Sequence, residues 1–155
     1  SNGYSLVRKL FFDIKKYDLS KKFDDLKDPL GLTLLTPTKI YTREIQSVLQ
    51  NNITIKGLIH ITGGGFYENI PRILPETCSA IISKSSFTIP PIFSIIQKEG
   101  DISEREMFTT FNMGIGMMAI CSKEHGNALF ELLKPTGATI IGEIKTRKKD
   151  SVLLT

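Results

Sequence analysis

The sequence predicts a mixed α+β fold in which helices pack on a sheet. Three observations carry this expectation. Apolar residues recur at helical spacing in several stretches, the first being Val7, Leu10, Phe11 and Ile14. Short apolar runs of strand length lie between those stretches, as at 53–59 and 115–121. Glycine and proline punctuate the joins. At 155 residues, the chain is expected to form one domain, residues 1–155, around one contiguous core.

In chain order, Ser1 and Asn2 are good capping residues. The first helix follows Gly3, sets Arg8, Lys9, Asp13, Lys15 and Lys16 mostly opposite its apolar face, and ends near Tyr17. Residues 20–31 are polar, charged and broken by Pro29 and Gly31, and read as a long surface connection. Thr36-Pro37-Thr38 is a stiff turn. Ile45, Val48 and Leu49 mark a second helix, which dissolves at Asn51-Asn52. Ile53, Ile55, Leu58 and Ile59 lead as a short buried strand into Gly63-Gly64-Gly65. A short helix then runs to about Leu74, with Pro71 restricting where it begins.

Residues 79–85 form the next strand, and Pro90-Pro91 opens a helix that closes at Gly100. Ser103 and Glu106 make a capping box, flanked by Ile102 and Met107 as a hydrophobic staple, with Phe108 and Phe111 extending the apolar side. A buried strand over 115–121 is followed by a helix that Ser122 can cap and that carries Ala128, Leu129, Leu132 and Leu133. After Gly137 come a strand through Ile140 and Ile141 and a last one at 152–154. The basic residues of 145–149 read as a solvated hairpin turn, with a phosphate contact as the lesser reading.

Composition narrows the function classes. Hydrophobic residues at 41% and charged residues at 23% are ordinary for a globular protein. The net charge of +4 is mild and its basic residues are dispersed, which suits a small anionic ligand and disfavours a nucleic-acid partner. No apolar run reaches a membrane span and no signal peptide is visible, so no membrane partner is expected. Cys78 and Cys121 lie far apart and outside metal-ligand spacing, and read as reduced, buried thiols of a cytosolic protein. Ser1 rather than Met at the start reads as a fragment or a processed chain.

Three consecutive glycines are costly in any ordered element. Placed between an apolar strand and a helix start, Gly63-Gly64-Gly65 has two readings: bare amides that hold an anion, or a tight turn packed on its neighbours. Arg72 could add a bidentate phosphate contact, and Asn69 could meet a ligand or cap. His60 is either a general acid/base or phosphate ligand, or a buried, hydrogen-bonded structural histidine. Asn112 is either a cap or a ligand contact, and Ser1-Asn2-Gly3 is an anion-friendly polar loop before a helix. A P-loop is absent. Gly114-Ile115-Gly116 with Ala119 matches the dinucleotide fingerprint only in letters, because a helix precedes it and a strand follows. No carboxylate cluster suits Mg²⁺, so no metal ligand is assigned.

Five stretches carry a family resemblance. They are Ser1-Asn2-Gly3-Tyr4-Ser5-Leu6-Val7-Arg8-Lys9, Leu35-Thr36-Pro37-Thr38-Lys39-Ile40-Tyr41, the run from His60-Ile61-Thr62-Gly63-Gly64-Gly65 through Glu68-Asn69-Ile70-Pro71-Arg72, Pro90-Pro91-Ile92-Phe93, and Phe111-Asn112-Met113-Gly114-Ile115-Gly116-Met117. In this order they resemble the AIR synthetase family, the phosphoribosylformylglycinamidine cyclo-ligases. Selenophosphate synthetase and the hydrogenase-maturation and thiamine-phosphate kinases share the architecture but not these words.

The resemblance implies a carboxy-terminal domain of three-layer α/β/α form with a mixed sheet and partly ferredoxin-like topology. It implies a cytoplasmic purine-biosynthesis ligase that uses ATP and Mg²⁺ to close formylglycinamidine ribonucleotide to aminoimidazole ribonucleotide, usually as a homodimer. The amino-terminal domain that supplies the carboxylates for Mg²⁺ and much of the ATP site is outside this chain, so the fragment alone is expected to be inactive and to hold no cofactor tightly. A non-catalytic phosphate- or nucleotide-binding module of the same superfamily is the alternative. Carried over residue by residue, Ser1, Asn2 and Gly3 would line an interdomain cleft. Thr62, Gly63, Gly64 and Gly65 would cradle a phosphate of ribotide or ATP. Asn69, Arg72 and Asn112 would be further binding candidates, and His60 the catalytic one.

Overall fold

The computed structural model describes residues 2–155. Its elements run α1 (Tyr4–Arg8), α2 (Leu30–Leu34), α3 (Thr42–Gln50), β1 (Ile55–His60), α4 (Gly65–Asn69), β2 (Cys78–Ile82), α5 (Pro91–Gly100), α6 (Glu104–Thr110), β3 (Met117–Cys121), α7 (Lys123–Leu133), β4 (Gly142–Thr146) and β5 (Val152–Leu154). The class is the expected mixed α+β. The strands divide between two sheets: β1 and β3 pair as an antiparallel ribbon, while β2 lies between an antiparallel β4 and a parallel β5.

The main core gathers Val7, Leu10 and Phe11 from the first helix, Leu30, and Phe66 of α4. Ile95 and Ile96 of α5, Met107 and Phe108 of α6, and inward residues of both sheets such as Ile59, Met118, Ile82 and Val152 complete it. A smaller cluster of Val48, Ile53 and Leu129, with Ala119 and Cys121 packed against it, joins α3 and α7 to the β1–β3 ribbon. The ribbon is therefore gripped between two apolar layers, which fixes the loops at its ends.

Local signals and structure agree where the signal is chemical. Pro91 opens α5 at its first turn. The Ser103 side chain accepts from the Glu106 N–H at 3.3 Å and starts α6.

They part where packing overrides pattern. After α1 the helix widens into a π-helical stretch at Lys9–Ile14, with the Lys15 N–H donating to the Leu10 carbonyl at 2.9 Å. The wider turn carries Ile14 off the apolar face and leaves it exposed. Tyr17 lies beyond the helix and packs with Phe11 and Phe23. The N-cap of α1 is Gly3, and Asn2 instead donates its side-chain amide to the Thr110 carbonyl. Leu30, fully buried, seeds α2 at the end of the expected surface connection.

Further along, α4 stops at Asn69, well short of Leu74, because Pro71 supplies no amide to continue it. The strand expected to reach Ser85 ends at Ile82, and the strand expected through Ile140 and Ile141 begins at Gly142. Ser122 holds the N-cap position of α7, where its carbonyl accepts from the His125 N–H at 3.1 Å but its side chain makes no capping hydrogen bond. The connection through 147–151 is not a hairpin: it carries the chain from one side of β2 to the other. It is anchored by the Ser79 hydroxyl, buried and donating to the Asp150 carbonyl, and by the Arg147 N–H donating to the Thr77 carbonyl. Both cysteines are half-buried rather than buried, and are unpaired thiols. Burial against apolar neighbours pushes the Cys121 thiol up from its ordinary pKa.

Candidate functional site: loops gathered around the end of helix α6

The end of α6 and the link from Phe111 to Met117 collect the other motif stretches. Thr110 receives the Asn2 side chain, and the Phe111 ring fills the space a Gly3 side chain would need. The ring of Phe93 lies 5.6 Å from that of Phe111. Pro90 lies against Gly114, and the Tyr41 hydroxyl against Gly116. The Ile61 N–H donates to the Gly116 carbonyl at 2.9 Å. Met113 and Gly114, at φ 50° and 95°, turn the link sharply. Asn112 holds that turn: its side-chain oxygen accepts from the Gly114 N–H at 3.0 Å, and its carbonyl from the Ile115 N–H at 2.8 Å. Asn112 is thus a turn-former, and among the described residues no hydrogen bond takes its side-chain amide.

The glycine loop is built on the same platform. Gly65, at φ 53°, presses so close to α6 that a Cβ there would fall 2.0 Å from the Phe108 carbonyl oxygen. Gly64 takes φ 90° at the N-cap of α4. Only glycine adopts these conformations readily and only glycine fits the contact. Gly63 differs, with nothing within 4 Å of its Cβ position.

Asn69 is the organiser of this loop. It is 4% exposed, and its amide group donates to the carbonyls of Thr62 (3.3 Å), Gly63 (3.1 Å) and Gly65 (2.7 Å). A trans peptide sets each N–H opposite the preceding carbonyl. Drawing the Thr62 and Gly63 carbonyls inward therefore turns the amides of Gly63 and Gly64 outward, and no hydrogen bond among the described residues takes either. The Asn69 oxygen accepts from Arg72 at 3.1 Å, which fixes which way the amide faces. Arg72 also lies 3.8 Å from Glu68, whose carboxylate sits over Gly64. Both side chains are 60% exposed and can swing away. Asn69, paired and buried, is a scaffold for the loop.

His60 ends β1 opposite Met117 and is exposed, which removes its buried structural reading. Ser1 lies outside the described residues. His60, Thr62, Gly63, Arg72 and Asn112 each lie on or beside the loops around α6, at least partly open to solvent. Among the described residues no three His, Cys, Asp or Glu side chains gather as a metal site. No helix among them is long and apolar enough to cross a membrane.

Over residues 1–155 the chain matches the family described as AIR synthase related protein, C-terminal domain. It is 52% identical over 155 residues to a phosphoribosylformylglycinamidine cyclo-ligase of Alkaliphilus metalliredigens (strain QYMF), covering 99% of this chain and 44% of that protein. It is 49% identical over 151 residues to the protein of the same name in Lachnoclostridium phytofermentans, covering 96% of this chain and 44% of the relative. A third, from Caldanaerobacter subterraneus subsp. tengcongensis, is 49% identical over 146 residues, covering 93% and 43%. The chain thus spans less than half the length of these curated relatives. It belongs to the family of AIR synthase related proteins, as a C-terminal domain.

Proposed function

We propose that the chain acts as the C-terminal part of a cytoplasmic phosphoribosylformylglycinamidine cyclo-ligase. That enzyme would use ATP to close formylglycinamidine ribonucleotide to aminoimidazole ribonucleotide, releasing ADP and phosphate. The observation that carries the reading is the meeting of five separate sequence stretches around the end of α6, with two amides, Gly63 and Gly64, facing outward there and unpaired among the described residues. Paired outward amides, with Arg72 beside them, suit a phosphate oxygen.

In this role Thr62 to Gly65 and Arg72 bind a phosphate of ribotide or ATP, Asn2, Gly3 and Asn112 border the cleft, and His60 serves proton transfer or phosphate binding. Asn69 keeps the loop amides aimed outward. Glu68 occupies the loop mouth when no anion is bound, and on binding it yields Arg72 to the phosphate. Such a site contributes position and charge stabilisation to phosphoryl-transfer chemistry. Mg²⁺ carboxylates and most ATP contacts come from the part of the full-length protein this chain does not span, as does much of a homodimer contact.

Titration of the 155-residue chain with inorganic phosphate and with ATP, followed by amide NMR shifts, tests the site. Shifts are expected to centre on Gly63 and Gly64. Shifts centred elsewhere would reject the phosphate loop. The purified chain alone is expected to show no turnover of formylglycinamidine ribonucleotide in an ADP-release assay, and measurable turnover would overturn the division of the active site.

A further inference from the structure

Gly114 and Gly116 flank Ile115 in the link after α6, and each is a glycine for a different reason. Gly114 takes φ 95°, a left-handed conformation that favours glycine. Gly116 has no left-handed φ, so its backbone makes no such demand. What Gly116 lacks is room. A Cβ there would fall 2.2 Å from the Tyr41 hydroxyl oxygen, 3.2 Å from the ring carbon Cζ and 3.4 Å from Cε2. The hydroxyl stands where a side chain at 116 would stand.

Tyr41 is held in that position from several sides. It is the N-cap residue of α3, and its carbonyl accepts from the Ile45 N–H at 3.0 Å. Val48 of α3 is buried in the smaller apolar cluster, which fixes the helix on the β1–β3 ribbon. The Lys39 ammonium lies 5.5 Å from the centre of the Tyr41 ring. Lys39 is itself tied to the Glu44 carboxylate at 3.0 Å and donates to the Thr136 carbonyl at 3.1 Å.

Gly116 in turn holds the base of the glycine loop. Its carbonyl accepts from the Ile61 N–H at 2.9 Å, one residue past the His60–Met117 pair. Among the described residues this is the last backbone hydrogen bond joining the two sides of the ribbon before Thr62 and the glycines. The place of Gly116 therefore sets the point at which Thr62 and Gly63 leave the ribbon.

We propose that Tyr41 is a positioning residue for the phosphate loop. Its hydroxyl, seated on Gly116, fixes the link, and the Gly116–Ile61 hydrogen bond passes that position to the Gly63 and Gly64 amides. The stretch 35–41 acts on the site in this way without touching a ligand. What the position is worth rests on the phosphate reading of the loop, whereas the contact itself lies wholly between segments of this chain.

The geometry predicts an exchange of size between the two residues. Gly116→Ala sets a methyl group against the hydroxyl and pushes Tyr41 and the link apart. Tyr41→Phe removes the oxygen and leaves a gap. In Tyr41→Phe/Gly116→Ala the methyl group takes the place of the oxygen, and the nearest ring carbon is 3.2 Å away.

Three readouts on the 155-residue chain test this: hydrogen exchange of the Ile61 amide, NMR shifts of the Gly63 and Gly64 amides, and titration with inorganic phosphate. Gly116→Ala is expected to speed Ile61 exchange about tenfold, move both glycine signals and weaken phosphate binding about fivefold. Tyr41→Phe is expected to move all three in the same direction by less. The double variant is expected to bring all three back toward the parent. Urea unfolding checks that each variant is folded, and Tyr41→Phe, which removes one atom from a half-buried side chain, supplies the test should Gly116→Ala not fold. Lost stability with Ile61 exchange and glycine signals as in the parent would make Tyr41 a packing residue only and overturn the proposal. So would a double variant no better than Gly116→Ala. A parent that binds no phosphate rejects the phosphate reading, and the Ile61 exchange and glycine shifts then decide the role of Tyr41 by themselves.

Discussion

Gly63 and Gly65 stand two residues apart under opposite demands. Gly65 combines φ 53° with a backbone contact that leaves no room for a Cβ. Gly65→Ala is therefore expected to lose more than about 2 kcal/mol of stability in urea unfolding. Gly63 has open space around it and no left-handed φ, so Gly63→Val is expected to stay within about 0.5 kcal/mol of the parent. The same variant sets bulk beside the outward amides and should weaken phosphate binding, which separates binding from folding. Gly64→Val cannot do so, because φ 90° and the Glu68 side chain penalise it in the fold itself. Asn69→Ala strands carbonyls inside the loop and is expected to cost about 1–3 kcal/mol as well as phosphate binding. Glu68→Gln removes a competing negative charge from the loop mouth, and a phosphate titration should show several-fold tighter binding. The sequence displayed every one of these residues yet left the glycines and Asn69 with two readings each. Which glycine is packed and which is open depends on where α6 lies, and no local pattern encodes that.

Individual elements were legible in proportion to how local their causes are. The capping box at Ser103 was readable because side chain and backbone partner are three residues apart. Ser103→Ala is expected to cost about 1 kcal/mol in thermal or urea unfolding. The start of α5 was readable for the same reason. The π-helical turn after Arg8, the short α2 and the late start of β4 were not, since each is set by contacts far along the chain. One such contact joins the first helical segment to α5. The Tyr17 hydroxyl donates to Glu99 at 2.7 Å and Lys15 lies 3.2 Å from the same carboxylate. The Tyr17 hydrogen bond first, and Lys15 second, hold the Glu99 carboxyl below its ordinary pKa. A depressed carboxyl adds stability above its unfolded pKa and loses it as pH falls through the folded value. The melting-temperature difference between parent and Glu99→Gln is therefore expected to be largest above about pH 5 and to shrink toward about pH 3.

At the scale of the whole molecule, the five motif stretches span positions from the first residues to Met117, and their meeting is a property of the fold alone. Gly3 on Phe111, Gly65 on the Phe108 carbonyl, Pro90 on Gly114 and Tyr41 on Gly116 are all long-range contacts. Periodicity and turn chemistry act over a few residues and determine, by themselves, the mixed α+β class and most helices, while the family rests on the likeness of the five stretches and the family match. Strand partners, the division into two sheets, the inward role of Asn69 and the outward aim of the Gly63 and Gly64 amides were decided by tertiary structure. The physical reason is one of range. A hydrogen-bond donor three residues away is written beside its acceptor, whereas burial of a glycine against a helix end, or exposure of an edge strand, exists only once distant segments have packed.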